Sequence, residues 1–124
     1  MTSTVTTLTK QSFDAFLETD HVVVAYFWAE WCQPCKGFKT IFNKVVGQFP
    51  EVHFGMIDVE TEKELMEDFG IRSVPTIMIF RNHVALCIES GALTEKALKD
   101  LIDQAVSLDM QKVHQQIAKK MIEE

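Results

Sequence analysis

The run His21-Val-Val-Val-Ala-Tyr-Phe-Trp28 is β-branched or aromatic and apolar over nearly its whole length. A strand with one wet face alternates apolar and polar residues, whereas an unbroken apolar run needs cover on both faces. Any sheet that holds this strand must therefore carry helices above and below it. That requirement points to α/β architecture.

The flanking segments can supply the cover. Thr9 and Ser12 can cap a helix over roughly Gln11 to Glu18, with Phe13, Phe16 and Leu17 on one face. Phe38, Ile41, Phe42, Val45, Val46 and Phe49 recur at helical spacing as far as Pro50. Val52 to Asp58 reads as a further strand, and Thr61 to Phe69 as a short helix closed by Gly70. Thr76–Phe80 and Val84–Ile88 read as strands around Arg81-Asn82-His83, where the Asn suits a tight turn. Thr94 caps a long helix bearing Ala97, Leu98, Leu101, Ile102, Ala105 and Leu108. The order β-α-β-α-β-α-β-β-α implies parallel strands with crossover helices, then an antiparallel hairpin, in one mixed sheet covered on both faces.

The chain has 124 residues and is 47% apolar, enough for one domain with a core that needs no cross-link or metal. Its net charge of -6 argues against nucleic acid or an anionic membrane as partner, since both call for a cationic face. No run is long and apolar enough to span a bilayer, and Met1 to Thr7 lacks the basic start and apolar stretch of a secretory signal. A cytoplasmic location is expected. Three cysteines are too few, and odd in number, for a secreted disulfide framework, so a close pair suggests redox catalysis or metal binding.

The pair lies in Trp31-Cys-Gln-Pro-Cys-Lys36, between the buried strand and the start of a helix. A cysteine at a helix N-terminus faces unpaired N–H groups and the positive end of the helix dipole, and both stabilise a thiolate. The thiolate is the species that attacks disulfides. With two residues between them, Cys35 can reach back one turn to Cys32, so Cys32 is expected as the exposed attacker and Cys35 as the buried resolving thiol. Pro34 suits the first turn. The competing reading is half of a zinc site, with Cys87, His83, His53 and His21 as candidate further ligands. None of these forms a second close pair, and no metal is expected.

Phe27-Trp-Ala-Glu-Trp-Cys-Gln-Pro-Cys-Lys36 resembles the active-site segment of the thioredoxin family, which usually has Gly at the position of Gln33. Gly70-Ile-Arg-Ser-Val-Pro-Thr76 resembles that family's cis-proline loop, and Ser90-Gly-Ala-Leu93 its Gly-Ala-Leu segment. The resemblance spans roughly Val5 to Val106. It implies a thioredoxin fold over residues 1–108, with a cis bond before Pro75 and Val74 offering backbone groups to an extended client strand beside Cys32. Trp31, Gln33, Pro34 and Gly91 would share that groove, and Trp28 would support the motif from below. The implied activity is reduction of protein disulfides at Cys32 and Cys35, without bound organic cofactor or metal. Disulfide-bearing proteins would be the clients and a thioredoxin reductase the electron donor. The alternative is a thioredoxin-fold binding or chaperone-like module with weak redox turnover.

Several positions depart from the family pattern. A buried Asp and its Lys partner are replaced by Tyr26 and Phe54, and a phenol is a poor base at neutral pH. Resolution by Cys35 is therefore expected to be slow, or to depend on water or another carboxylate such as Glu30. Thr40 stands where many relatives kink the helix with Pro. Cys87, among apolar neighbours, reads as a small core residue. Residues 109–124 extend beyond the usual length: Asp109 can cap a further helix with Met110, Val113, Ile117 and Met121 along one narrow face. Such a helix can fold against its own domain, or serve self-association or docking.

Overall fold

A computed structural model describes residues 5–123, with side chains through residue 119. The chain runs β1 (Val5–Thr7), α1 (Lys10–Leu17), β2 (Val23–Trp28), α2 (Gln33–Val46), β3 (His53–Asp58), α3 (Lys63–Asp68), β4 (Thr76–Arg81), β5 (Val84–Ser90), α4 (Glu95–Ser107) and α5 (Met110–Glu123). The sheet order is β1-β3-β2-β4-β5. β1 and β2 lie parallel to β3, while β4 runs antiparallel to β2 and β5 antiparallel to β4. This is the mixed sheet expected from the sequence.

β2 is central, and both of its faces are buried. Val23, Ala25 and Phe27 join Leu8, Phe13, Leu17 and Leu65 in one apolar cluster. Val24 and Tyr26 join Phe38, Phe42, Leu98 and Ile102 in the other. Alternate β2 side chains thus meet α1 and α3 on one side and α2 and α4 on the other, which is why β2 carries no charged residue and its one hydroxyl, on Tyr26, is buried.

Local chemistry sets the boundaries. Thr9 caps α1 through a reciprocal pair with Ser12. Gly70 follows α3 at φ 64°, and the Ile71 N–H reaches back to the Met66 carbonyl to close the helix end. Asn82 and His83 both have positive φ, giving the two-residue hairpin turn that matches strand twist. A bulge then shifts the β4–β5 register, so that Ile79 faces Cys87 while Phe80 faces Ala85. Leu86 and Cys87 in consequence both pack against the α2/α4 cluster, and Cys87 is half-buried at its rim rather than inside the core. α2 continues unbroken through Thr40.

Asp109 caps α5, its Oδ1 accepting from the Gln111 and Lys112 N–H groups at 3.0 and 3.3 Å. Along the expected apolar face, Met110 is 8% exposed, Val113 half-buried and Ile117 39% exposed, so burial among the described side chains falls off after the first turn. The Met121 side chain lies outside the described residues, as do residues 1–4 of the N-terminal segment. Arg81 holds the α4–α5 junction: its Nη1 lies 3.0, 3.0 and 2.9 Å from the carbonyl oxygens of Ala105, Val106 and Leu108.

Candidate active site

Cys32 is the N-cap of α2, and its Sγ accepts the Cys35 backbone N–H at 3.1 Å. A sulfur thus occupies the place where a serine or aspartate oxygen would satisfy a free helix donor. Gln33 and Pro34 form the exposed first turn, in which Pro leaves no hydrogen bond unmade. Cys32 and Cys35 are joined in a disulfide, with Cα atoms 5.2 Å apart.

The cis-proline loop meets this turn from the side. The Val74–Pro75 bond is cis, as the resemblance implied, and the Val74 carbonyl oxygen lies 3.5 Å from Cys32 Sγ. Gly91, at φ 97°, donates its N–H to the Pro75 carbonyl at 2.8 Å. That backbone geometry favours glycine. Trp31 stands 68% exposed next to the motif. Trp31, Gln33, Pro34, Val74, Pro75 and Gly91 therefore come from three segments, the second set against Cys32 by the Val74 carbonyl and the third tied to the second by the Gly91–Pro75 bond.

The expected exposure of Cys32 is not found in the disulfide form. Cys32 is 3% exposed and Cys35 2%, and both belong to the α1/α3 cluster, with Val74 packed against it. The approach of the Val74 carbonyl and the apolar packing cover the sulfur that helix position alone would leave open.

Tyr26 is fully buried, 5.2 and 4.9 Å from the rings of Phe38 and Phe42. Its hydroxyl donates to the Cys35 carbonyl at 3.0 Å. Burial pushes the phenol up to about 12, so it is a donor at neutral pH and not a base. The β2–β3 register puts Met56 opposite Tyr26, and Phe54 opposite Val24, although Tyr26 and Phe54 share one cluster. A cavity of about 250 Å³ lies against Cys35, lined by Tyr26, Trp28, Ala29, Glu30, Lys36, Lys39 and Met56. The Tyr26–Cys35 bond joins residues nine apart with no periodic signal, so sequence reasoning missed it. Reading the two replaced positions as a polar void beneath the motif would have been the way to find it.

The residues named for a zinc site do not converge on the pair. His21 stacks on His53 at 5.0 Å, and burial together with His21 lowers the His53 pKa. His114 is exposed and lines a shallow depression with His83, Glu18 and Asp20. Among the described residues, no group of three or more His, Cys, Asp or Glu side chains could hold a metal ion. Burial and the Glu89 carboxylate push the Cys87 thiol up, which disfavours its thiolate.

Residues 4–104 match the family model for thioredoxin. The chain belongs to the thioredoxin family. It is 46% identical over 120 residues to a candidate second thioredoxin of Streptomyces coelicolor, covering 97% of this chain and 89% of that protein. It is 31% identical to a thioredoxin of Buchnera aphidicola from Schizaphis graminum, over 80% of this chain and 94% of the relative. Among solved structures, the Malassezia sympodialis thioredoxin superposes with a TM-score of 0.76 at 30% identity, covering 82% of this chain and 90% of that one. This thioredoxin-family protein is a thiol–disulfide oxidoreductase that reduces protein disulfides, and its fold is the thioredoxin fold with an added C-terminal helix. Disulfide-bearing substrates and reductase partners follow in general from the family. No helix among the described residues is long and apolar enough to cross a membrane.

Proposed function

We propose that Cys32 is the attacking thiol and Cys35 the resolving one. The Cys32 thiolate displaces one sulfur of a client disulfide and forms a mixed disulfide. The Cys35 thiolate then attacks Cys32 Sγ, the bond to the client breaks, and the client leaves with both sulfurs reduced. Two electrons pass from dithiol to client, and an external reductant restores the dithiol. The observation that carries this order is the Cys35 N–H on Cys32 Sγ: the helix N-terminus stabilises negative charge on that sulfur.

The client lies in extended form against Val74 and Pro75, between Trp31 and Gly91, with Gln33 and Pro34 lining its path. The tie from Gly91 to Pro75 and the exposure of Trp31 support this groove. The donor is a flavoprotein thioredoxin reductase, and the compartment is the cytoplasm. Residues 1–108 form the catalytic domain and 109–124 an extension docked through Met110, consistent with a family match that ends at residue 104.

Reduction of insulin coupled to NADPH through a thioredoxin reductase tests the assignment. Cys32→Ser abolishes turnover, and Cys35→Ser accumulates the mixed disulfide. A Cys32→Ser protein that still turns over refutes it.

A further inference from the structure

The resolving step requires Cys35 to lose a proton, yet Cys35 is 2% exposed and packed in the core. A buried thiol resists ionisation unless a route to a base exists. A cavity lies against Cys35. Five of its lining residues titrate: Cys35 itself, Tyr26, Glu30, Lys36 and Lys39. Tyr26 is held as a neutral donor on the Cys35 carbonyl, so it orients the backbone and takes no proton at neutral pH. Lys36 and Lys39 carry ammonium groups, which favour a thiolate electrostatically but accept no proton. Glu30 is the one carboxylate lining the cavity among the described residues.

The backbone leading into Glu30 is fixed. Glu30 follows Ala29, which is 1% exposed and whose carbonyl accepts the Cys32 N–H at 3.2 Å. The turn from β2 into α2 thereby places Glu30, itself exposed to solvent, among the residues that line the cavity. About 250 Å³ is room for several waters, each needing about 30 Å³.

We propose that Glu30 accepts the Cys35 proton through water in this cavity and so sets the rate of mixed-disulfide resolution. The proposal rests on the assignment of Cys35 as the resolving thiol. As the Cys35 S–H bond breaks, its proton passes by water to the Glu30 carboxylate. The freed thiolate forms the bond to Cys32 Sγ, and the electron pair of the broken mixed disulfide leaves on the client sulfur. The protonated Glu30 returns its proton to solvent or to the departing thiolate.

The test follows single turnover of the reduced protein with an aromatic disulfide whose released thiolate is coloured, in a Cys87→Ser background so that two thiols report. The first equivalent marks attack by Cys32 and the second marks resolution by Cys35. In Glu30→Gln the second phase is expected to slow about tenfold, while the first changes by less than about twofold. The second phase of the Gln variant should rise with hydroxide concentration across neutral pH, and Glu30→Asp should restore much of the original profile. Glu30→Gln with an unchanged second phase overturns the proposal. So does equal slowing of both phases, or slowing without a change in pH profile, because either is a structural or general field effect. Release of a single equivalent by the unmutated Glu30 protein would defeat the assignment of Cys35 as resolver, and the proposal with it.

Discussion

Replacing Tyr26 by Phe removes one oxygen and leaves the ring contacts with Phe38 and Phe42 in place. At neutral pH the loss is one buried hydrogen bond to the Cys35 carbonyl. That carbonyl lies within α2, where the helix ladder provides its other partner, so the cost is about 1 kcal/mol. At alkaline pH the sign reverses. The phenol titrates at its ordinary value of 10.0 when unfolded and at about 12 when folded. Between these values the unfolded chain has lost the phenol proton while the folded chain keeps it. Stability is therefore fully present below pH 10 and falls as pH rises towards 12, by about 2–3 kcal/mol in all. The Phe variant has no such loss. Wild type should lead by about 1 kcal/mol at pH 7 and fall behind the variant above about pH 10.6. Denaturant titrations of both proteins from pH 7 to pH 11 measure the difference, in which the other titrating groups cancel. Since Tyr26 is the single tyrosine, phenolate absorbance of the folded protein reports its ionisation directly. A difference that stays constant over this range, or a folded phenol titrating near 10, would refute the reasoning.

Other expectations are equally direct. Arg81→Met removes the guanidinium from three carbonyls at the end of α4; we expect a loss of about 1–2 kcal/mol and faster amide exchange at the α4–α5 junction. His21→Asn takes away the imidazole stacked on His53, so the His53 pKa should rise towards its ordinary value, as followed by NMR titration. In wild type the lowered His53 value stabilises the fold above about pH 6.5, and that contribution is lost as pH falls through the folded value. Deletion of residues 109–124 should leave a monomer, as should the full chain: among the described side chains beyond Met110, the apolar face offers a half-buried Val113 and an exposed Ile117, too little area for a stable interface. Light scattering of both proteins decides this, and a dimer that dissociates on truncation would contradict it.

Much of this structure could be read from residue patterns. The unbroken apolar run had to lie inside a sheet, and the helical spacing from Phe38 to Phe49 had to cover one of its faces. Cys32 and Cys35 announced both the helix start and the chemistry. The rest escaped because it depends on tertiary approach. The resemblance puts Val74 beside Cys32, but the closing of its carbonyl over the sulfur is an approach between residues 42 apart. The bulge that turns Cys87 and Leu86 to the same side is a register shift, which alternating residues do not encode. Tyr26 was recognised as a missing base, but its bond to the Cys35 carbonyl depends on how α2 crosses β2. Arg81, at the end of a strand, gave no sign that its partners would be the last carbonyls of α4.

Trp28 packs against both apolar clusters and also lines the cavity beneath Cys35. The two halves of the interior, separated elsewhere by the sheet, are mechanically continuous at that indole. Volume added or removed far down either helical layer will therefore be felt at the sulfurs. Tuning of electron transfer in this protein need not begin with the residues that surround the disulfide.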